Sequence, residues 1–394
     1  MANGATGLDD VRRGNLAAVL RLVHREGPVS RAWITARTGL NRSTVGGLVS
    51  DLATRGLVRE AAPEVTNRVG RPSPVVEVDP EVAVVAVNPE VDAVTTAIVG
   101  LGARVERHER HDLGHPATPE ETAEIAARAA AAVTDRRVAA IGLAVPGLVS
   151  EADGVVRWAP HLGWRDAPLR TLVERACGLP VEVGNDATLG ALAEHLFGAG
   201  RGVDDLLYLN GGASGIGGGI IVGGATLGGH GGFAGELGQS IAGFVRADDR
   251  TSARGVVEDE VTREPLLGPL GLKGATEAEL AVAVLGARDP AILGELARQR
   301  RVLAASLATA VNMLDPELIV LGGYLATLLE SDPVDLQQLV HDLAFPAGTV
   351  GVRIAPAGLG DDRLLVGAAE LALAGVLADP ASLVGAGGIA SLNA

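Results

Sequence analysis

Cysteine is almost missing from this 394-residue chain: Cys177 stands alone. That excludes an internal disulfide framework and leaves too few thiolates for a cysteine-based zinc site. Lysine is also reduced to one residue, Lys273, a bias of genome composition rather than of mechanism. No run of about 18 uninterrupted apolar residues is present, as a membrane-spanning helix would need. The polar stretch Met1–Asp10 holds no apolar signal core. A cytoplasmic protein with no membrane partner is therefore expected. Positive charge is in deficit too. A net charge of −15 argues against a protein that coats nucleic acid. The deficit is uneven, however. Residues 1–80 hold 11 arginines and 8 acidic residues, a net of +3, and the remainder carries −18. A mildly basic head on an acidic body fits a small DNA-reading module joined to a larger sensor, although chance variation between domains gives the same figure. Aromatics amount to only 2 %, whereas glycine reaches 54 residues. Such glycine use points to tight turns and close backbone contacts in an α/β fold.

In the first eighty residues, Leu16, Val19, Leu20, Leu22 and Val23 follow helical spacing, and Gly27-Pro28 ends that helix. Ser30 is placed to cap a second helix through Ala36, and Gly39-Leu40 to turn the chain. Asn41 is placed to cap a third, with Val45, Leu48, Val49 and Leu52 on its inner face and Gly56 at its end. Leu57–Glu60 and Val75–Val78 read as two strands of a hairpin whose loop carries Arg68 and Gly70-Arg71-Pro72. This is the order of a winged helix-turn-helix. Arg42, Ser43 and Thr44, in the first turn of the third helix after Asn41, are expected at base edges and phosphates. Ser30 and Arg31 are candidate phosphate contacts, and Arg68 and Arg71 candidate wing contacts to a phosphate or the minor groove. A helical protein-interaction module is the bland alternative. Gly46 and Gly47 thin the side chains that the third helix can offer to bases, and each costs about 1 kcal/mol of helix stability.

From residue 82 the pattern becomes strands alternating with helices, with strands at Val82–Val87, Val91–Val99 and Val138–Val145 and an alanine-rich helix at Glu120–Val133. No short-period repeat is evident. Four segments can carry chemistry. Gly184-Asn185-Asp186-Ala187 follows a strand and precedes a helix, where a carboxylate can face a ligand or accept a hydroxyl proton; helix capping explains it equally well. Ser214–Ile221 is glycine-rich and reads as a turn able to offer N–H groups to phosphate. Gly235-Glu236-Leu237-Gly238-Gln239 and Glu258 can hydrogen-bond a polyol, or can be plain surface loop. Asp315–Gly323 reads as a strand ending in a glycine turn. His108, His111 and His115 lie close together but among Arg and Glu, as a solvated loop would.

The order of these motifs resembles the ROK family of repressors, open reading frames and sugar kinases, specifically its regulator branch. In the head the resemblance is carried by Gly27-Pro28-Val29-Ser30-Arg31, Thr38–Val45, Arg55-Gly56-Leu57-Val58 and Gly70-Arg71-Pro72. In the body it is carried by Val145-Pro146-Gly147, Leu162-Gly163-Trp164, Gly184–Ala187, Gly215–Gly219, Gly235–Gly238 and Leu321-Gly322-Gly323. It implies an actin-like, ribonuclease H-like body of two α/β lobes around a ligand cleft. It also implies sugar contacts from Asn185, Asp186, Glu236 and Glu258, with Gln239 at the neighbouring position and Asp186 at the general-base position of the kinases. Two departures stand out. Where the kinases carry D-x-G-G-T for ATP phosphates, this chain has Asn88-Pro89-Glu90, in which Pro89 lacks an N–H and Glu90 repels phosphate. Where the family carries E-x-G-H and C-x-C-G-x-x-G-C for a loop-ordering zinc, the histidine position is Gln239 and cysteine positions fall at Asp249, Thr251 and Val256.

The expectation is a winged helix-turn-helix over residues 1–78, a first lobe over 79–188, a second over 189–378 with its last helix returning to the first lobe, and a flexible tail over 379–394. Kinase activity, structural zinc and any cofactor are expected to be absent. The expected partners are an operator in double-stranded DNA, a sugar-like or other small effector, and further copies of the chain as a homodimer or homotetramer. The competing readings are a ligand-independent DNA-binding regulator with a vestigial body and, behind it, an active sugar kinase.

Overall fold

The computed structural model describes residues 3–61, 74–212, 215–272, 275–346 and 351–382. The head comprises α1 (Asn3–Glu26), β1 (Val29–Ser30), α2 (Arg31–Thr38), α3 (Arg42–Thr54), β2 (Val58–Ala61) and β3 (Val75–Val78). The strands pair in the order β1-β3-β2. Ser30 and Asn41 start the two short helices as caps: the Ser30 side chain accepts from the Trp33 N–H and that of Asn41 from the Thr44 N–H. Between α2 and α3, Gly39 adopts φ 71°, the left-handed turn a side chain would resist. Leu20, Val23, Ile34, Val49 and Leu52 are fully buried in the head.

The body contains two five-stranded sheets. The first is built from β4 (Val82–Pro89), β5 (Ala93–Gly100), β6 (Arg104–Asp112), β7 (Arg137–Val145) and β11 (Val181–Asn185) in the order β11-β7-β4-β5-β6. Helix α4 (Pro119–Ala131) precedes β7. Strands β8 (Leu148–Ser150), β9 (Val155–Ala159) and β10 (Trp164–Ala167) form a small separate sheet before α5 (Leu169–Cys177), and α6 (Asp186–Phe197) follows β11. The second sheet has β12 (Leu206–Gly212), β13 (Gly215–Val222), β14 (Ala225–Thr226), β15 (Leu318–Gly323) and β16 (Arg353–Pro356) in the order β14-β13-β12-β15-β16. In both sheets the first three strands run antiparallel and the last two join parallel to the first. The two sheets thus share one topology, that of the actin-like body. Between β14 and β15 lie α7 (Val257–Glu260), α8 (Glu264–Leu267), α9 (Glu277–Gly286) and α10 (Pro290–Leu314). Helices α11 (Tyr324–Ser331) and α12 (Pro333–Leu343) follow β15, and α13 (Arg363–Ala378) closes the fold.

Helix α13 lies back across the first sheet and α6. Its approach is at backbone distance, because Gly142 and Gly367 have no side chains: a Cβ at Gly142 would stand 1.9 Å from the Ala368 carbonyl oxygen, and one at Gly367 2.2 Å from that of Leu189. One apolar cluster runs without a break from Leu16, Leu20 and Leu52 in the head through Val84, Ala97 and Leu101 to Leu365, Leu373 and Leu377 on α13.

Three expectations need correction. His108 and His111 sit on β6, an edge strand, and not in a loop; its exposed residues mask the usual alternation. Gly215–Ile221 is not a phosphate-binding turn but strand β13, paired along its length with β12; Ser214 lies outside the described residues. The tail expected from Asp379 begins with an ordered segment: Pro380–Ser382 forms a short 3₁₀ turn with Pro380 buried, and the Arg55 guanidinium donates to the Ala381 carbonyl at 3.1 Å; residues 383–394 lie outside the described residues.

Candidate functional site

The DNA-facing candidates gather at the start of α3. Asn41, Arg42 and Ser43 are exposed and Thr44 is half-buried. Asn41 uses its Oδ1 locally, accepting from the Thr44 N–H at 2.8 Å and the Ser43 hydroxyl at 2.7 Å, which leaves its amide nitrogen to face outward. Most head arginines are engaged. Arg12 and Arg55 hold Asp51, Arg59 holds Glu77, and Arg31 holds Glu60 at 2.5 Å. Arg42 is exposed and makes no ion pair among the described residues, so its charge is available to a phosphate or a guanine edge. The exposed Arg37, late in α2, is in the same condition and was missed in the sequence, where helix starts and the wing drew the argument. Arg68 and Arg71 lie outside the described residues.

The ligand candidates converge between the lobes. Asn185 ends β11 and caps α6, accepting from the Thr188 N–H at 2.9 Å; its Nδ2 donates to the Gly147 carbonyl at 3.0 Å. The capping reading of this segment holds. Asp186 is the first residue of α6. Burial raises its carboxyl to about pKa 6 against the opposing pull of the Ala187 N–H and the Arg363 charge. Glu236 enters from the second lobe, and its carboxyl is raised first by burial and then by the negative charges of Asp186 and Glu258. Glu236 thus stands within electrostatic reach of both Asp186 and Glu258. The three carboxylates are acceptors suited to the O–H groups of a polyol and hostile to an anion. Glu258 is the second residue of α7, and its Oε2 accepts from the Ile216 N–H at 3.4 Å. Gln239 is not free for a ligand: its Nε2 donates to Glu258 Oε1 at 2.6 Å, and its Oε1 accepts from Arg254 at 2.8 Å.

Opposite Asp186 stands a cation that sequence reading missed. Arg363, on the first turn of α13 and 7 % exposed, donates through Nη2 to Asn210 Oδ1 at 2.9 Å and lies 3.6 Å from Glu277. Only its place as a lone arginine in an apolar helix could have signalled it.

The residues at the family's zinc positions do not fit that metal. Asp249 is fully buried and bound by Arg301, the Thr251 hydroxyl donates to Glu260 at 2.7 Å, and Val256 is packed inside. The loop is ordered by these bonds instead. Arg298 reaches Glu260 at 3.1 Å and the Asp249 carbonyl at 2.6 Å. Burial works to raise the Glu260 carboxyl, but the N–H and O–H donors of Ser252 and Thr251 hold it down at about 2. Among the described residues no group of three His, Cys, Asp or Glu is arranged to hold a metal.

At the end of β4 the family's phosphate loop is replaced by a closed hairpin turn. The Glu90 N–H is taken by the Ala93 carbonyl at 2.7 Å, and its carboxylate is bound by Arg110 and by the Thr95 hydroxyl.

Comparison with known proteins agrees with this build. Residues 85–374 match the ROK family, and residues 17–66 match the MarR family. The chain belongs to the ROK family. With a MarR-type winged helix ahead of the ROK segment, it has the build of that family's transcriptional regulators. It is 25 % identical to the xylose repressor of Bacillus spizizenii, over 92 % of this chain and 96 % of that one. A crystal structure of a ROK family transcriptional regulator, a homologue of the E. coli MLC protein, shares the fold over 94 % of this chain and 97 % of its own, with TM-score 0.74 and 23 % identity. A ROK glucokinase from Streptomyces griseus, solved with glucose and AMPPNP, covers 74 % of this chain and 99 % of its own, with TM-score 0.59 and 26 % identity. No helix among the described residues is long and apolar enough to cross a membrane.

Proposed function

We propose that this protein is a cytoplasmic transcriptional repressor whose operator affinity is set by an uncharged sugar or similar polyol bound between its lobes. The carrying observation is the joint presence of Arg42, exposed at the start of α3 and without an ion pair among the described residues, and of Glu236 within electrostatic reach of Asp186 and Glu258. In this reading residues 1–78 read DNA with Ser30, Arg31, Asn41, Arg42, Ser43, Thr44, Arg68 and Arg71, and residues 79–188 and 189–378 are the two lobes. Two copies of the chain place two heads on half-sites about 34–36 Å apart or a multiple of that. In this reading the chain does not transfer phosphoryl groups, which the hairpin turn at Pro89-Glu90 supports by offering a carboxylate where ATP phosphates need N–H donors. Asp186 then serves as a hydroxyl acceptor and not as a base. The bonds of Arg298 to Glu260 and of Arg301 to Asp249 support this reading over a ligand-independent regulator, because they tie down the loop that carries Glu258.

Genomic fragments captured on the purified chain, followed by gel shifts of the recovered site with D-xylose, D-glucose and N-acetylglucosamine, test this reading. A specific site released by one of these sugars supports it. A specific site released only by phosphorylated sugars refutes the uncharged effector, and no specific site refutes the regulator.

A further inference from the structure

His24 is a buried imidazole with every polar atom engaged, and its partners come from three different parts of the body. Its Nε2 lies 2.8 Å from Glu370 Oε1 on α13. Its Nδ1 accepts the Gly102 N–H, from the turn between β5 and β6, at 2.8 Å. That bond makes Nδ1 an acceptor and leaves Nε2 to donate to the carboxylate. The ring also meets Phe197 edge-on, with centroids 5.3 Å apart at 87°. Phe197 is the last residue of α6, whose first residue is Asp186 in the cleft. Glu370 lies two turns along α13, whose first residue is Arg363, the cation opposite Asp186. Both helices that hold His24 therefore begin at the cleft and run toward the head. Helix α6, with 12 residues, spans about 18 Å.

The two helices cannot slide past each other cheaply. Gly367 sets α13 on the α6 backbone, and Gly142 sets it on β7. Packed glycine contacts of this kind transmit displacement and do not absorb it. Beyond Glu370 the chain goes on touching the head. The Leu377 carbonyl accepts from Arg21 Nε at 3.1 Å, and the Ala381 carbonyl from Arg55 Nη1 at 3.1 Å. Arg55 is the C-cap of α3, and its own carbonyl accepts from Arg137 of β7 at 3.1 Å.

We propose that α6 and α13 form one rigid relay carrying the state of the cleft to the DNA-reading head, with His24 as the contact through which α1 follows it. Helix α3 follows through Arg55. The assignment rests on the regulator reading given above, and it gives that reading a mechanism: a ligand that shifts Asp186 against Arg363 tilts both helices and reorients α3.

Hydrogen-exchange mass spectrometry on the full chain tests the relay with neither DNA nor ligand present. Arg363→Met removes the cleft-end charge and keeps the stem. It should speed exchange in residues 16–26 and 42–55 by roughly threefold or more. His24→Gln should loosen the same segments, and adding Arg363→Met to it should change them no further. Arg353→Met, at an exposed ion pair on the edge of the second sheet, should leave them alone. If Arg363→Met lowers global stability, Glu277→Gln takes its place as the cleft-end change. The relay is overturned if the cleft-end change is felt only near residues 206–212 and 277–286, or if it adds in full to His24→Gln. A parallel arm adds D-xylose, D-glucose or N-acetylglucosamine to the wild-type chain. A sugar that protects residues 186–188 but leaves 16–26 unchanged also overturns the relay. If no sugar protects 186–188, the effector reading fails, and the relay stands or falls on the variants alone.

Discussion

Replacing Arg298 with Met should cost the second lobe about 3 kcal/mol, and the structure shows where that figure comes from. Arg298 is 10 % exposed in its side chain and every donor is engaged. Nη1 bonds the Asp249 carbonyl at 2.6 Å and Glu260 Oε2 at 3.1 Å, Nη2 bonds the Glu260 carbonyl at 2.7 Å and Glu295 at 2.8 Å, and Nε bonds Glu295 at 2.8 Å. Methionine keeps the stem and deletes the guanidinium, leaving Glu260 fully buried without its cation. Removing one member of a buried pair costs roughly 3–5 kcal/mol. The lower figure applies because Glu260 keeps short bonds from the Thr251 and Ser252 N–H groups and the Thr251 hydroxyl. At about 2–4 °C per kcal/mol for a unit of this size, the melting temperature should fall by roughly 6–12 °C. Differential scanning calorimetry reads this directly, with Arg288→Ala, an exposed change, as the control. A loss of less than about 2 °C would show that Arg298 does not hold this loop.

Three further outcomes are expected. Prolonged dialysis against EDTA should leave the melting curve of the wild-type chain unchanged, because Asp249, Thr251 and Val256 are committed to protein partners; a clear fall would place a structural metal in the chain. Arg42→Ala should weaken operator binding by about 1–3 kcal/mol in gel shifts if Arg42 makes a bidentate base contact, and an unchanged affinity would remove it from the interface. Asp186, with its folded-state carboxyl raised to about 6 from 3.8, opposes folding once ionised. Its neutral form is fully favourable below about pH 4, and that benefit is lost as pH rises through about 6. Urea melts should therefore show Asp186→Asn gaining on the wild type across that window, by at most about 3 kcal/mol at pH 7; a constant gap would contradict the burial of Asp186.

What could be read from the chain depended on whether a local rule governed each segment. The head was legible because capping and helical spacing act over a few residues: Ser30, Asn41 and the stripe of Val45, Leu48, Val49 and Leu52 announce their helices unaided. Strand β6 was not, since Arg104–Asp112 lies at a sheet edge and lacks the apolar alternation that marks a half-buried strand. Gly215–Gly219 read as a turn because the partner that needs those glycines, α6, lies elsewhere in the chain: a Cβ at Gly219 would stand 2.5 Å from that of Ala191. The shared topology of the two sheets leaves no sequence period, because pairing order is a property of distant segments. In the cleft, the acidic positions were legible as a set. The commitment of Gln239 to Glu258 and Arg254 and the cation Arg363 were not. His24 left a usable trace, a polar residue at spacing of four from Leu16 and Leu20 on the apolar stripe of α1.

The unbroken apolar cluster from Leu16 to Leu377 bears on how such a chain can be re-engineered. A head swap made at a linker near residue 79 would treat the reading module as detachable cargo. Here the seam runs through side chains on α1, the β5–β6 turn and the outer face of α13, so a grafted head would arrive with an unmatched underside. A chimera that keeps its responsiveness would need to carry that seam along with the helices that touch DNA.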